Sequence, residues 1–466
     1  MKRLLLTMVD QAGITRVKLL PAERAGVALG AGVSFSLTSA LLLCADDGIA
    51  STPRYPPAQG DVRLVGDASA LRPLDDDLSW APADQMRPGG GAFPACQRQA
   101  LRTAVQRFAS RKLDLRAAFE IEFTVFRGTP EAPVPAHQGP AYGLGPVLAL
   151  EAWATDLLDA CATAGLAVQQ LHPEYGNGQY EMSFEPADPV RAADDLVLAK
   201  LIVLRVSARH GLLVSFAPVS SAGGLGNGCH LHLSARDEAG NVFADAETGA
   251  GMRAPGEAMV AALVAALPET TALLAPSVLS YERLQPGKFS GANARWGVED
   301  REAAVRFIPG AAGGRDRGAN IEIKPPDHSA NPYLALAGVL AAAFPTVAAA
   351  PPAAGAAAVP AVGAPPFPSG AATAFPLGAA AALSSGAAAV LSSGGAAAFS
   401  SGESGRGTPL PGNLGDALDL LDRSQLQRAA LGDDLVDTFL AVRRHEWETY
   451  GDAPVDERIA AFRWKH

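Results

Sequence analysis

Cysteine and basic charge are both scarce in this chain of 466 residues. The four cysteines, Cys44, Cys96, Cys161 and Cys229, are widely scattered and form no Cys-x-x-Cys pair, which excludes a dense disulfide framework and indicates a reducing compartment. A net charge of −10 and a pI near 5.4 give no basic surface for nucleic acid. The apolar stretch at the N-terminus is too short for a signal peptide. We therefore expect a cytoplasmic protein that binds neither nucleic acid nor membrane.

Nucleotide-binding loops are also missing from the sequence. There is no Gly-x-x-x-x-Gly-Lys-Ser/Thr loop and no convincing Gly-x-Gly-x-x-Gly opening a helix. A bound nucleotide would therefore need metals and arginines to hold its phosphates, and the planar guanidinium suits that task. Each candidate taken alone could equally be a surface arginine, although apolar neighbours favour Arg301 and Arg306. The candidates are Arg283, Arg295, Arg301, Arg306, Arg315 and Arg317.

Charged residues are absent from positions 329–402, where Ala, Gly, Pro and Ser dominate. Prolines and glycines interrupt every apolar run long enough to span a bilayer, which excludes a transmembrane segment there. The tripeptide Ser-Ser-Gly recurs at positions 384, 392 and 400. We interpret roughly 346–410 as a low-complexity, flexible insert.

What is present is a set of alternating apolar and polar segments. Residues 119–126 predict a strand with Glu120 and Glu122 side by side on one face. Taken alone, this pattern is typical of a half-buried strand with one solvated face. Similar segments recur at 180–184, 229–234 and 320–324, and the adjoining loop carries Glu174. Their polar faces present Glu181, His230, His232, Ser234, Glu322 and Lys324.

If these strands share one sheet, five carboxylates crowd together. Charges of the same sign at such distances repel unless they are protonated or bridged by cations. A metal site is the simplest resolution, and oxygen-rich ligation with imidazole favours Mg²⁺ or Mn²⁺ over Zn²⁺.

Seven motifs in order resemble the glutamine synthetase superfamily, in particular its type I-like members and their γ-glutamylpolyamine or γ-glutamylamine synthetase branch. They are Phe-Glu-Ile-Glu-Phe (119–123), Pro-Glu-Tyr-Gly-Asn-Gly-Gln-Tyr-Glu (173–181), Gly-Asn-Gly-Cys-His-Leu-His (226–232), Ser-Tyr-Glu-Arg-Leu-Gln-Pro-Gly (280–287), Arg-Glu-Ala-Ala-Val-Arg (301–306), Ile-Glu-Ile-Lys-Pro-Pro-Asp (321–327) and Ala-Asn-Pro-Tyr-Leu (330–334).

The resemblance implies an α+β fold in two domains. Residues 1–95 would form a β-grasp domain, and 96–466 a catalytic domain with a curved antiparallel sheet flanked by helices. It also implies subunits stacked in rings, as a dodecamer, with active sites between neighbouring subunits.

The resemblance further implies the residues of the site. One divalent metal, Mg²⁺ or Mn²⁺, would be held by Glu122, Glu174 and Glu181, and a second by Glu120, His230 and Glu322. The residues facing ATP would be His232, Ser234 and Arg306. Those at the glutamate substrate would be Gly226, Arg283, Arg301 and Lys324, with Arg301 and Glu322 at the reacting groups. The reaction would be ATP-dependent amide formation through a γ-glutamyl phosphate.

The sequence departs from the family at the ammonia pocket. An aspartate of the N-terminal domain has no acidic counterpart in residues 35–39, and an acid that follows the 283–287 turn is replaced by Lys288-Phe289-Ser290. Each carboxylate–ammonium hydrogen bond stabilises by roughly 1.5–3 kcal/mol, so losing two weakens ammonium capture by about two orders of magnitude or more. Phe289 offers apolar or cation–π surface instead.

We therefore expect an organic amine, such as a polyamine or ethanolamine, as the acceptor. Lys324 and Asn320 also stand where the family has arginines. Two alternatives remain: an authentic glutamine synthetase with a remodelled pocket, and a non-catalytic structural or regulatory relative.

Overall fold

The computed structural model describes residues 2–58, 60–245, 251–344 and 407–466. Most of the insert predicted at 346–410 lies outside the described residues. Its last four positions, 407–410, are described, and they join the large sheet through a short strand at Thr408–Pro409.

The strands are β1 (Arg3–Val9), β2 (Thr15–Pro21), β3 (Val33–Ser36), β4 (Asp61–Gly66), β5 (Arg72–Pro73), β6 (Leu78–Met86), β7 (Asp114–Gly128), β8 (Pro133–Pro135), β9 (Val168–Pro173), β10 (Gln179–Phe184), β11 (Leu213–Ser215), β12 (Cys229–Asp237), β13 (Gly240–Asn241), β14 (Asn293–Val298), β15 (Ala303–Ile308), β16 (Asn320–Ile323) and β17 (Thr408–Pro409).

The helices are α1 (Ala22–Leu29), α2 (Leu37–Leu41), α3 (Gln97–Ala109), α4 (Leu144–Ala149), α5 (Glu151–Thr163), α6 (Pro189–Arg209), α7 (Ala254–Leu274), α8 (Ser280–Arg283), α9 (Arg315–Gly318), α10 (Pro332–Ala343), α11 (Leu414–Arg423), α12 (Gln425–Leu431), α13 (Asp433–Tyr450) and α14 (Val455–Phe462), with a 3₁₀ turn at Ala68–Ala70.

The strands form two sheets. The smaller one, near the N-terminus, has the order β2-β1-β6-β4-β3, with β5 beside β6, and its β1–β6 pair is parallel. The larger one has the order β17-β14-β15-β16-β12-β7-β10-β9. Its pairs are antiparallel, as the family resemblance implies, except that β14 and β15 run parallel.

The register of the large sheet brings the charged faces of its central strands together. Strand β7 lies between β12 and β10, so that His230 is opposite Glu120 and Glu181 is opposite Glu122. On the other side of β12, His232 is opposite Glu322 of β16. The predicted alternation is therefore correct, and the recurring pattern marks neighbouring strands of one sheet.

Two helices show how local sequence sets the scaffold behind this sheet. Helix α6 begins where the Asp188 carboxylate accepts hydrogen bonds from the first turn, and α10 begins at Asn331 in the same way. Each helix has proline in its first turn, where the missing N–H costs nothing. All of α10 is buried, packed against α3, α6, α7 and α12. This burial explains why the chain carries no charge between Ser329 and Phe344.

Helix α7 is long and apolar enough to cross a membrane by length and composition alone. In the described fold it packs against α10 and α11, and 56% of its most apolar window is buried. These contacts are those of a core helix.

Candidate active site

Four side chains at the centre of the large sheet form one group, which we call the lysine-side group: Glu120, His230, His232 and Glu322. His230 Nδ1 lies 3.1 Å from Glu120 Oε1 and 3.1 Å from Glu322 Oε1. His232 Nε2 lies 3.8 Å from Glu120 Oε2, and its Nδ1 lies 3.0 Å from Asn320 Oδ1. The group is enclosed, since His230, His232 and Glu322 are all buried.

Two fixed cations adjoin this group. The Lys324 ammonium donates to Glu322 Oε1 at 2.7 Å, although only 3% of the lysine is exposed. Arg306 donates to Glu322 Oε2 at 3.2 Å and also pairs with Glu299. Burial opposes ionisation of Glu322, but Lys324 and the two histidines hold its pKa well below the usual range. Burial also opposes ionisation of Glu120, whose pKa is nevertheless held low by the hydrogen bond with His230 and by the nearby imidazole of His232.

A second group, which we call the loop-side group, consists of His172, Glu174 and Glu181 where β9 and β10 meet the intervening loop. His172 Nε2 lies 3.1 Å from Glu181 Oε1, and its Nδ1 lies 3.6 Å from Glu174 Oε1. Strand pairing places His172 directly opposite Glu181. The Tyr142 hydroxyl donates to Glu174 at 3.1 Å.

The carboxylates of the loop-side group resist ionisation. Burial and the neighbouring charge of Glu122 raise the pKa of Glu174 to about 7. Burial, followed by the charges of Glu120 and Glu122, raises the pKa of Glu181 well above its usual value. No lysine or arginine in the described residues forms an ion pair with either carboxylate.

These residues fit a divalent cation. The two ring nitrogens of His172 and Nε2 of His232 are buried without a hydrogen-bond partner in the described residues. Each of these histidines is close to two carboxylates. Within each set of three residues, one donor atom from each residue lies within 4.8 Å of the other two. The sets are Glu120, His232 and Glu322, and His172, Glu174 and Glu181. Carboxylate oxygens with imidazole are ligands suited to Mg²⁺ or Mn²⁺.

Glu122 lies between the two groups. Its Oε2 accepts the backbone N–H of Gly228 at 2.8 Å and the Gln179 side chain at 3.3 Å, and its Oε1 lies 3.8 Å from His230 Nε2. The five predicted carboxylates are therefore brought to one region of the sheet.

Arg283 closes the wall of the site beside His230. It donates to the carbonyl oxygens of Pro325 and Lys324, each at 2.9 Å, and its Nη2 lies 3.2 Å from His230 Nε2. A Cβ at Gly226 would lie 2.6 Å from the Arg283 side chain, and one at Gly228 would lie 2.4 Å from His230. The glycine-rich segment thus lets its backbone approach the two side chains closely.

The predicted nucleotide residues are only partly brought together. His232 and Ser234 line one cleft beside Asn320 and Arg317, while Arg306 lies on β15 against Glu322. Arg301 is exposed in the turn between β14 and β15, and within the described residues it has no hydrogen bond or ion pair. The apolar neighbours that favoured it belong to β15, whose burial begins at Ala303.

The segment predicted to receive the amine is a tight loop after α8. Glu302 accepts the backbone N–H groups of Gly287 and Phe289 at 3.2 and 2.9 Å, which closes the loop. Phe289 has a φ of 52°, and 53% of the residue is exposed. Lys288 donates to the backbone of Glu282. The loop therefore presents an aromatic surface.

The sequence prediction missed His172 and Tyr142 as members of the site. The sequence predicts a loop at Glu174, but strand β9 continues to Pro173 and brings His172 opposite Glu181. The signal was its position two residues before Glu174, which is the spacing of one face of a strand. Tyr142 carried no such signal, because it lies in a loop and reaches Glu174 only through the fold.

The enclosed carboxylates and imidazoles on one curled sheet are typical of an enzyme that uses divalent cations. The family model "Glutamine synthetase, catalytic domain" matches residues 94–354 and 394–461. The gamma-glutamylpolyamine synthetase GlnA3 of Streptomyces coelicolor is 45% identical over 352 residues, covering 74% of this chain and 75% of the relative. A glutamine synthetase of Pyrococcus abyssi is 27% identical, covering 96% of this chain and 90% of the relative.

A solved structure described as a novel glutamine synthase homolog matches with a TM-score of 0.80 and 28% identity, covering 100% of this chain and 98% of that one. The chain belongs to the glutamine synthetase family.

Proposed function

We propose that this protein joins the γ-carboxyl group of glutamate to an organic amine, with ATP as the energy source. It is a carbon–nitrogen ligase of the glutamine synthetase type. The observation that carries the choice of acceptor is the loop at 287–290, which presents Phe289 and Lys288 where an acid would favour ammonium. The 45% identity to a gamma-glutamylpolyamine synthetase supports a polyamine as the amine to test first.

In this proposal each group of the site has a task. Glu122, Glu174 and Glu181, joined by His172, would hold one divalent cation, and Glu120, His230 and Glu322 a second. Bound cations would neutralise phosphoryl oxygens and align the γ-phosphate with the attacking carboxylate. His232 and Ser234 would contact the nucleotide.

Arg306 would exchange Glu299, its exposed partner, for phosphate oxygens while Glu322 keeps the guanidinium in place. Arg283, Gly226 and Lys324 would position glutamate, and Arg301 would reach the reacting carboxylate when substrate binds. The amine then displaces phosphate from the γ-glutamyl phosphate.

An authentic glutamine synthetase remains the second candidate. The match to the Pyrococcus abyssi enzyme extends over 96% of this chain, which favours it. A non-catalytic relative is disfavoured, because crowding buried carboxylates costs stability unless a cation uses them.

We also propose how the chain divides into domains, how its subunits assemble and where in the cell the protein is found. Residues 1–95, with α1 packed on the smaller sheet, would be a β-grasp domain, and 96–466 the catalytic domain. Subunits would stack in rings, as a dodecamer, in the cytoplasm. Exposed apolar side chains on β2 and α4 support association: Val17, Leu19, Leu144 and Leu148.

The test is phosphate release from ATP with Mg²⁺ and glutamate, with ammonium compared against a panel of polyamines and ethanolamine. Turnover with one amine and little with ammonium would support the proposal. Ammonium as the best acceptor would overturn it in favour of a glutamine synthetase.

A further inference from the structure

We propose that Cys44, Asp46 and His445 form a zinc-binding site where the N-terminal part of the chain meets helix α13. One donor atom from each residue, the thiol sulfur, a carboxylate oxygen and an imidazole nitrogen, lies within 4.8 Å of the others. The site is separate from the active-site carboxylates and does not depend on the proposed function.

Two of the donors lie on a closed turn. The backbone N–H of Cys44 donates to Gly48 at 2.8 Å, and Asp47 donates back to Cys44 at 3.1 Å with a φ of 67°. The Asp46 carboxylate accepts the Gly48 N–H at 3.0 Å. The backbone therefore holds the thiol and the carboxylate in position without the help of a ligand.

The third donor comes from a distant part of the chain. His445 Nε2 lies 3.0 Å from Asp46 Oδ2, and Cys44 Sγ lies 3.9 Å from the carbonyl oxygen of Val442, one turn earlier on α13. A Cβ at Gly48 would lie 2.6 Å from His445 Nε2 and 3.0 Å from Asp46 Oδ1. Only glycine there leaves the two donors room to lie together.

The donor types select the ion. Thiolate with imidazole and carboxylate suits Zn²⁺, at about 2.3 Å to sulfur and about 2.0–2.2 Å to nitrogen and oxygen. Mg²⁺ prefers oxygen ligands alone, so the chemistry of this site differs from that of the active site. The His445 side chain is 33% exposed and the Asp46 side chain 22%, which leaves an entry path and room for water as the fourth ligand.

The same residues without zinc make a simpler arrangement, in which Asp46 and His445 share a hydrogen bond and Cys44 is a buried free thiol. Zinc would displace the thiol proton of Cys44 to solvent and replace that hydrogen bond by three bonds to one ion, linking a turn of the N-terminal region to α13. Because zinc would bind the folded chain and not the unfolded one, it would raise the free energy of unfolding.

Cobalt gives a direct readout, because a thiolate bound to Co²⁺ produces a charge-transfer absorption that oxygen and imidazole ligands do not. The full chain is stripped with chelator, saturated with Mg²⁺ to fill the carboxylate sites, and titrated with Co²⁺. We expect the thiolate band to saturate at one equivalent per chain and to disappear when Zn²⁺ is added.

Cys44→Ser should lose the band, and so should His445→Gln, which leaves the thiol in place. Cys161→Ser is the matched control, because burial raises the pKa of that thiol to about 12, as it does for Cys44; this variant should keep the band. Absence of the band from the unmodified chain, or its survival in folded Cys44→Ser, would overturn the proposal. Zinc should also raise the melting temperature of the unmodified chain but not of His445→Gln.

Discussion

The lysine-side group and the loop-side group adjoin the same sheet, yet the pKa values of their carboxyl groups are shifted in opposite directions. Glu322 of the lysine-side group touches Lys324, Arg306 and His230, and its pKa is lowered. The loop-side group offers its carboxylates one imidazole, and their pKa values are raised. One half of the site carries its own counter-charges, while the carboxylates of the other half have no lysine or arginine partner in the described residues.

This difference predicts the order in which the proposed site would bind two cations. The loop-side group would gain the most from a divalent cation, because the cation would relieve repulsion that the fold leaves uncompensated. The lysine-side group would have to exchange a hydrogen bond from Lys324 for a metal bond. We therefore expect two classes of metal affinity, with the loop-side group in the tighter class.

Replacing Glu322 by Gln should have the largest effect. The change leaves the buried Lys324 without its carboxylate, and removing one member of a buried ion pair costs about 3–5 kcal/mol. Ligase activity should fall by at least about a thousandfold, since both cation binding and Arg306 lose a partner. Urea unfolding and phosphate release measure the two effects.

Glu238→Gln is the control for that change, because its pair with Lys112 leaves both side chains 78% exposed. It should shift stability by less than about 1 kcal/mol. Equal losses in the two variants would contradict the account of the lysine-side group.

Replacing Lys324 by Met should remove the counter-charge and keep most of the volume. The lowered pKa of Glu322 stabilises the fold at pH values above the pKa that this carboxyl has in the unfolded chain. That stability is lost as the pH falls through the lower pKa of the folded state. Without Lys324 the folded-state pKa rises, so acid unfolding should begin at a higher pH. Lys112→Met, on the exposed pair, should leave the acid profile unchanged.

In metal-free protein, replacing Glu174 by Gln should stabilise the fold, which is the opposite of the effect expected for Lys324→Met. Its pKa rises from 4.5 to about 7 on folding, so ionisation opposes folding as the pH rises through that window. The variant should match the parent near pH 4 and be more stable at pH 8, by on the order of 3 kcal/mol.

Melting temperatures between pH 4 and 8, with and without Mn²⁺, check this expectation for Glu174→Gln. Mn²⁺ should stabilise the parent more than the variant. Glu185→Gln, at an exposed position, is the control. A variant less stable than the parent at pH 8 without metal would show that the loop-side group is not under repulsion.

Replacing Phe289 by Ala should have the smallest effect on activity. This variant tests the loop proposed to bind the amine, which lies outside the lysine-side and loop-side groups. An exposed cation–π contact contributes about 0.5–1 kcal/mol, so KM for the organic amine should rise by roughly 2–5-fold. KM for glutamate and ATP should stay unchanged. Trp296→Ala, another exposed aromatic, is the control; an equal rise in both variants would exclude a specific contact.

The sequence predicted the strands of the site because alternation is a local property. Glu120, Glu122 and Glu181 take the predicted faces, and the strands that carry them are neighbours. What it could not predict depends on pairing between distant segments. The parallel pairing of β14 with β15 and the position of His172 opposite Glu181 both follow from register, which no single segment encodes.

The apolar residues that follow Arg301 were a poor guide to its burial. Arg301 precedes a buried strand and was favoured for that reason, yet it lies exposed in the turn before the strand. The burial of β15 does not extend to Arg301, which lies two residues before the strand begins. Its assignment to the substrate site stays a prediction.

A competition between two acceptors for the γ-glutamyl group shows whether the protein prefers an organic amine to ammonium. The protein is supplied with glutamate, ATP, Mg²⁺, and equal concentrations of ammonium and a polyamine, and the products are identified by mass. We expect the γ-glutamylated polyamine to predominate. Glutamine as the main product would contradict an organic amine as the acceptor.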